Sequence, residues 1–88
     1  MSDSEIQEAV FLWVTHNVGK IQKALEPLKI QREYLLKNED PVFREEVESQ
    51  FVVAVKSTLA DLIAVNLQLT PLQIMEFVED INMEELLK

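Results

Sequence analysis

"SQFVVAVKSTLADLIAVNLQLTP" occupies residues 49–71, and thirteen of the nineteen residues from Phe51 to Leu69 are apolar. Strict alternation of apolar and polar residues is absent and the run is too long for a strand, so the pattern predicts a helix. On a helical wheel the polar positions fall on one narrow stripe, formed by Glu46, Gln50, Ser57, Asp61 and Gln68. Nearly all the rest of this helix surface is apolar. The helix therefore needs neighbours on more than one side.

Two proline-containing signals delimit this helix. Asp40 followed by Pro41 predicts a cap with proline at the first helical position, where its missing N–H costs nothing. Thr70, Pro71 and Gln73 repeat that signal with a complete capping box and start another helix. We predict a long helix over about 41–69 and a short C-terminal helix over 71–87. A weaker capping box at Asn82 would divide the latter into two.

The first two fifths of the chain predict a second long helix, over about 4–37. Ser4 with Gln7 fits a capping box at its start, and Ser2 with Glu5 is the rival register. A broad apolar stripe keeps its phase past Pro27, so we expect the helix to kink near that residue and to continue in line.

These elements predict an all-α fold in a single domain, residues 1–88, built on an antiparallel hairpin of the two long helices. Each long helix would span roughly 40–50 Å, and the tail helix covers less than half of that length. Leaving about six large apolar side chains exposed would forgo around 10 kcal/mol, comparable to the whole stability of a small domain. We therefore expect a second copy to complete a dimeric helical bundle. A different protein that covers the same face is the alternative.

The expected partner or dimer interface lies on the apolar faces of the two long helices. Asn17 lies within the apolar stripe of the first helix, where a buried amide fixes the register of paired helices or, alternatively, lies at an edge that contacts water. The interface residues are Leu12, Trp13, Asn17, Phe51, Val52, Val55, Leu59, Leu62 and Ile63.

The formal net charge of −8 lies entirely in the second part of the chain. Residues 1–37 carry five acids and five bases, whereas residues 38–88 carry eleven acids and three bases. This sign disfavours nucleic acid and anionic membrane surfaces as partners. A solvated surface explains the acids most simply; a candidate acidic patch comprises Glu76, Glu79, Asp80, Glu84 and Glu85.

Few residues suit catalysis or metal binding. The chain has no cysteine, one glycine and one histidine, and His16 lacks a neighbouring carboxylate and nucleophile in sequence. No nucleotide-binding glycine pattern, zinc-helix motif or Glu-x-x-His motif occurs. We expect no enzymatic activity and no cofactor. The N-terminal residues lack a basic segment, no apolar run approaches the length of a membrane span, and the absence of cysteine suits the cytoplasm.

Three functional classes fit these features. The first is a small interaction module, an acidic helical adaptor or regulator that acts as a homodimer and binds another protein through an apolar helix face. The alternative is an acidic inhibitor, antitoxin-like, immunity-like or phage-encoded, that binds a basic surface on its target. A helix-turn-helix regulator fits worst, because the bases of residues 20–37 scatter around the helix.

Overall fold

The computed structural model describes residues 2–88, and every regular element in that range is a helix. The all-α class is therefore confirmed. The five helices are α1 (Asp3–His16), α2 (Val18–Leu35), α3 (Pro41–Leu67), α4 (Pro71–Val78) and α5 (Met83–Leu86).

The caps of α3 and α4 agree with the sequence signals. The Asp40 carboxylate accepts a hydrogen bond of 3.1 Å from the Val42 N–H. Thr70 and Gln73 form a capping box, in which the Thr70 N–H donates to the Gln73 side chain at 2.8 Å. In both helices proline occupies the first turn, where its missing N–H breaks no intrahelical bond.

The end of α3 differs slightly from the prediction. The helix stops at Leu67 because Gln68 adopts a left-handed conformation, with φ of 58°. The Leu69 N–H then donates to the Ala64 carbonyl at 2.9 Å, and the same carbonyl accepts from the Gln68 N–H, which closes the end of the helix. The chain turns here toward α4.

The first predicted helix is wrong in two respects. It starts at Asp3, capped by Ser2 and Glu5, so the rival register is the one found. It is also interrupted at Asn17, whereas α2 continues through Pro27 to Leu35. The Asn17 amide donates to the Trp13 carbonyl at 2.7 Å, a local bond that competes with the helix ladder. Pro27 leaves the Lys23 carbonyl without a donor, and both residues are exposed, so that carbonyl lies near water.

The single C-terminal helix predicted over 71–87 is two helices, as the weaker capping signal indicated. The Asn82 side chain accepts a hydrogen bond of 3.0 Å from the Glu84 N–H and starts α5. The division lets α4 pack on α3 and α1 while α5 packs on α2, where the Gln22 side chain donates to the Glu85 carbonyl at 3.1 Å.

The molecule has two unequal regions along its length of 47 Å. We call residues 2–27 and 55–88 the head, and residues 28–54, the second half of α2 with the first half of α3, the arm. Among the described residues the connected core lies in the head and contains Val10, Ile21, Leu59 and Ile63. The one buried side chain of the arm is Val47. The arm therefore consists of two helices side by side without a third helix to close a core.

By length and composition alone, α3 could cross a membrane, and 28% of its most apolar 18-residue window is buried within the chain. Core helices of soluble proteins meet the same criterion, so the feature is weak evidence of a membrane span.

Candidate functional site: an apolar groove in the arm

An apolar groove of about 460 Å³ runs between α2 and α3 in the arm. Six of its ten lining residues are apolar, because α2 and α3 each turn a row of such side chains toward the same surface. The apolar lining residues are Leu28, Leu35, Phe43, Val47, Phe51 and Ala54. Five of the six, all except Val47, are only half-buried although they face the groove. The groove can therefore take up more apolar surface from another molecule.

Polar residues mark the two edges of the groove. Arg32 on α2 binds Glu48 on α3 through two hydrogen bonds of 2.7 and 3.0 Å, a bidentate pair that joins the two helices. The Arg32 guanidinium also lies 5.1 Å from the centre of the Phe51 ring. Glu46, on α3, lines the groove and is exposed. The ion pair and the stacked ring thus help to join the two helices of the arm, as does Arg44, which donates to the Leu36 carbonyl at the tip. The groove presents both charge signs beside apolar surface.

The groove and the head use opposite sides of α3. At about 100° per residue, Phe43, Val47 and Ala54 fall within roughly 40° of one another on the helix wheel. Leu59 and Ile63, which are fully buried in the head core, lie roughly on the far side of the helix. The helix is apolar around most of its circumference because it serves the head with one side and lines the groove with the other.

Four of the predicted interface residues on α3 pack in the head. Val55, Leu59 and Ile63 are buried in the core, and Leu62 packs against it half-buried. Phe51 lines the groove. Sequence periodicity could not distinguish the head positions from the groove position, since all of them lie on one long apolar helix.

The remaining predicted interface residues are Leu12, Trp13, Val52 and Asn17. Leu12 and Val52 are about half exposed, at 51% and 49%, and lie outside the groove. Trp13 packs against the head core. The Asn17 amide is half-buried, and the Trp13 carbonyl satisfies it within the chain. Its structural role is therefore to end α1.

Four apolar residues that line the groove are absent from the predicted interface: Phe43, Val47, Leu28 and Leu35. The sequence did contain a feature that indicates that Phe43 and Val47 lie in the uncovered half of α3. The tail helix begins at residue 71 and is too short to cover the whole of α3, so the half of α3 far from that tail had to be the uncovered one. Phe43 and Val47 are apolar residues of that half.

The candidate acidic patch is exposed at all five positions: Glu76, Glu79, Asp80, Glu84 and Glu85. Glu79 binds Lys56 on α3 at 2.6 Å, and Glu85 binds Lys88 at 3.1 Å. Two of the five carboxylates thus have cationic neighbours within the chain, and the other three face solvent.

No group of three or more His, Cys, Asp or Glu side chains with metal-binding geometry occurs in residues 2–88. His16 is exposed at the end of α1. The groove itself is lined by apolar residues, two glutamines, one arginine and one glutamate, which suits binding of an apolar surface better than chemistry on a small molecule.

Comparison of the chain with protein-family models, with curated proteins and with solved structures finds no match.

Proposed function

We propose that this chain is a small non-enzymatic protein–protein interaction module, an acidic helical adaptor or regulator that acts as a homodimer through the apolar groove of the arm. The observation that carries the proposal is that two adjacent helices leave a groove with six apolar side chains, while the arm has a single buried residue. A second arm placed on the groove would convert two helices into four, with apolar residues from both copies between them. A two-fold dimer of this kind is the commonest way to bury such a surface.

Two adjacent residues of α3 provide the test. Phe43 lines the groove, whereas Val42 is 75% exposed and lies outside it. Phe43→Asp places a charge in the proposed interface, and Val42→Asp makes the same change one residue away. In sedimentation equilibrium at micromolar concentration, we expect the parent chain and Val42→Asp to have twice the monomer mass of 10.2 kDa, and Phe43→Asp to have the monomer mass.

Circular dichroism on both variants controls for folding. A parent chain that remains a folded 10.2 kDa species at all concentrations would overturn the homodimer. Capture of the parent chain, but not of Phe43→Asp, by neutral phosphatidylcholine vesicles would point to a lipid surface and would also overturn it.

An acidic inhibitor that binds a basic surface is the second candidate. Residues 57–87 contain six acids and no base, and the carboxylates of Glu76, Asp80 and Glu84 are exposed. Such a surface would speed association with a cationic target by electrostatic steering. Affinity for the target that falls steeply with salt, and that falls in a Glu76→Gln/Asp80→Asn/Glu84→Gln variant, would support this function. Affinity unaffected by salt but lost in Phe43→Asp would support the groove.

A further inference from the structure

The two helices of the arm carry opposite net charge. Within the arm, residues 28–35 of α2 have two bases and one acid, whereas residues 41–54 of α3 have three acids and one base. The same separation occurs in the groove, where Arg32 lies on the α2 edge and Glu46 on the α3 edge. The groove face is therefore positive along one edge and negative along the other.

Arg32 and Glu46 also lie at nearly the same height along the arm. Arg32 binds Glu48 directly, so the two residues are level. Glu46 is two residues nearer the tip, a rise of about 3 Å, which is within the reach of an arginine side chain. Glu46 has no cationic partner within 4.0 Å in residues 2–88, since the ion pairs of that range involve other carboxylates.

Two symmetric arrangements can place one groove against another. A two-fold axis along the arm puts α2 of each copy opposite α3 of its partner, with both heads at the same end. A two-fold axis across the arm puts α2 opposite α2 and α3 opposite α3, with the heads at opposite ends. In the first arrangement Arg32 faces the partner's Glu46 twice; in the second, like charges face each other across the groove. Like charges held close in an interface disfavour that pairing.

We infer that the groove binds a second copy of this chain with the arms parallel, α2 opposite the partner's α3 and the two heads side by side. This inference rests on the proposed homodimer and adds its orientation. The head core packs mainly on the side of α3 away from the groove, where Leu59 and Ile63 lie, so the arrangement leaves those contacts in place. The apolar side chains supply the attraction, and the two Arg32–Glu46 pairs select the orientation.

Small-angle X-ray scattering measures the orientation directly. Parallel arms keep the dimer about as long as one chain, whose longest Cα extent is 47 Å. Antiparallel arms that overlap only along their length of about 20 Å would give a dimer about 75 Å long. A dimer with the shorter dimension supports the inference. A dimer with the longer dimension overturns it and leaves the homodimer intact, whereas a monomer overturns both.

A charge reversal with a matched control tests the proposed ion pairs. Glu46→Lys places a lysine opposite the partner's Arg32, while Glu45→Lys makes the same change at an exposed position outside the groove. At low salt we expect the Glu46→Lys dimer to dissociate with a Kd about tenfold higher than that of Glu45→Lys, since two ion pairs become two repulsions. The difference should shrink at high salt. A Glu46→Lys dimer that is as tight as the Glu45→Lys dimer would overturn the inference, because antiparallel arms would only exchange a repulsion between two carboxylates for one between the two substituted lysines.

Discussion

The head and the arm share one helix, α3, yet they bury its side chains to very different extents. In the head α3 contacts α1, α2 and α4, and its residues Val55, Leu59 and Ile63 are almost completely inaccessible to solvent. In the arm the same helix has α2 as its single neighbour, and Val47 alone is buried there. Seven of the fourteen α3 residues in the arm are apolar, against eight of the thirteen in the head, so the number of neighbouring helices accounts for most of the difference in burial. Two helices meet along a line, and a third is needed to enclose a core.

This difference assigns separate roles to the two regions. The head has a connected core to which α1, α2, α3, α4 and α5 all contribute, so it accounts for most of the stability of the isolated chain. The arm holds one bidentate ion pair and a groove. A surface of low intrinsic stability that exposes apolar side chains is typical of binding regions.

Replacing one leucine in each region should give the largest contrast. Leu59 is fully buried in the head, and Leu59→Ala should lower the free energy of unfolding by about 3 kcal/mol through lost burial and the cavity left behind. Leu35 is half-buried in the arm, and Leu35→Ala should cost about 1 kcal/mol or less in the dilute chain, where water already reaches the site. Urea denaturation at submicromolar concentration measures both. Equal losses would mean that the arm is packed as tightly as the head.

Hydrogen exchange should resolve the two regions amide by amide. In the dilute chain we expect the α3 amides of residues 45–50 to be at least about 30-fold less protected than those of residues 59–64, which corresponds to a difference of roughly 2 kcal/mol in opening free energy. The cause is the lack of a third helix over the arm. Raising the protein concentration should increase protection in the arm and leave the head unchanged. Uniform protection at every concentration would contradict the division into head and arm.

The turn that brings α4 back onto α3 offers a smaller, stabilising change. Gln68 has a φ of 58°, a conformation that costs a residue with a side chain about 1 kcal/mol and costs glycine little. Gln68→Gly should therefore raise the free energy of unfolding by up to about 1 kcal/mol, measured by thermal or urea denaturation. Gln50→Gly is the control on the same helix in the arm, and it should be destabilising by about 1 kcal/mol because Gln50 is helical.

The sequence predicts well the features that depend on neighbouring residues. Asp40 with Pro41 and Thr70 with Gln73 act within one helical turn, and both helix starts are found where those residues place them. The interruption at Asn17 was not predictable in the same way. A mid-helix asparagine is only mildly unfavourable. The break separates α1, which packs against α4 more than 50 residues farther along the chain, from α2, and such a long-range contact leaves no local sequence signal.

The groove shows the same limit of prediction from local sequence patterns. A helix wheel ranks Leu59 and Phe43 alike as apolar positions, and only the arrangement of α1 and α4 shows that the first is enclosed and the second open to solvent. The dimer interface expected from the sequence therefore included residues that the head uses for itself. The short tail helix was the one sequence feature that could have separated them.

The smallest expected effect comes from removing one ion pair in each region. Arg32–Glu48 joins α2 to α3 in the arm, and Lys56–Glu79 joins α3 to α4 in the head. Both pairs are partly exposed, so Glu48→Gln and Glu79→Gln should each lower the free energy of unfolding by about 0.5 kcal/mol, and the loss should shrink at high salt.

The two substitutions should differ more in their effect on local hydrogen exchange than in their effect on the free energy of unfolding. In the head, core contacts around α4 hold the helices together without the Glu79 carboxylate. In the arm, the Arg32–Glu48 pair is the one ion pair between α2 and α3 in residues 2–88, so Glu48→Gln should increase exchange of arm amides several-fold in the dilute chain. Glu79→Gln should leave the protection of α4 nearly unchanged. The reverse result would place the weaker packing in the head, and the arm could then no longer be regarded as the region that a partner completes.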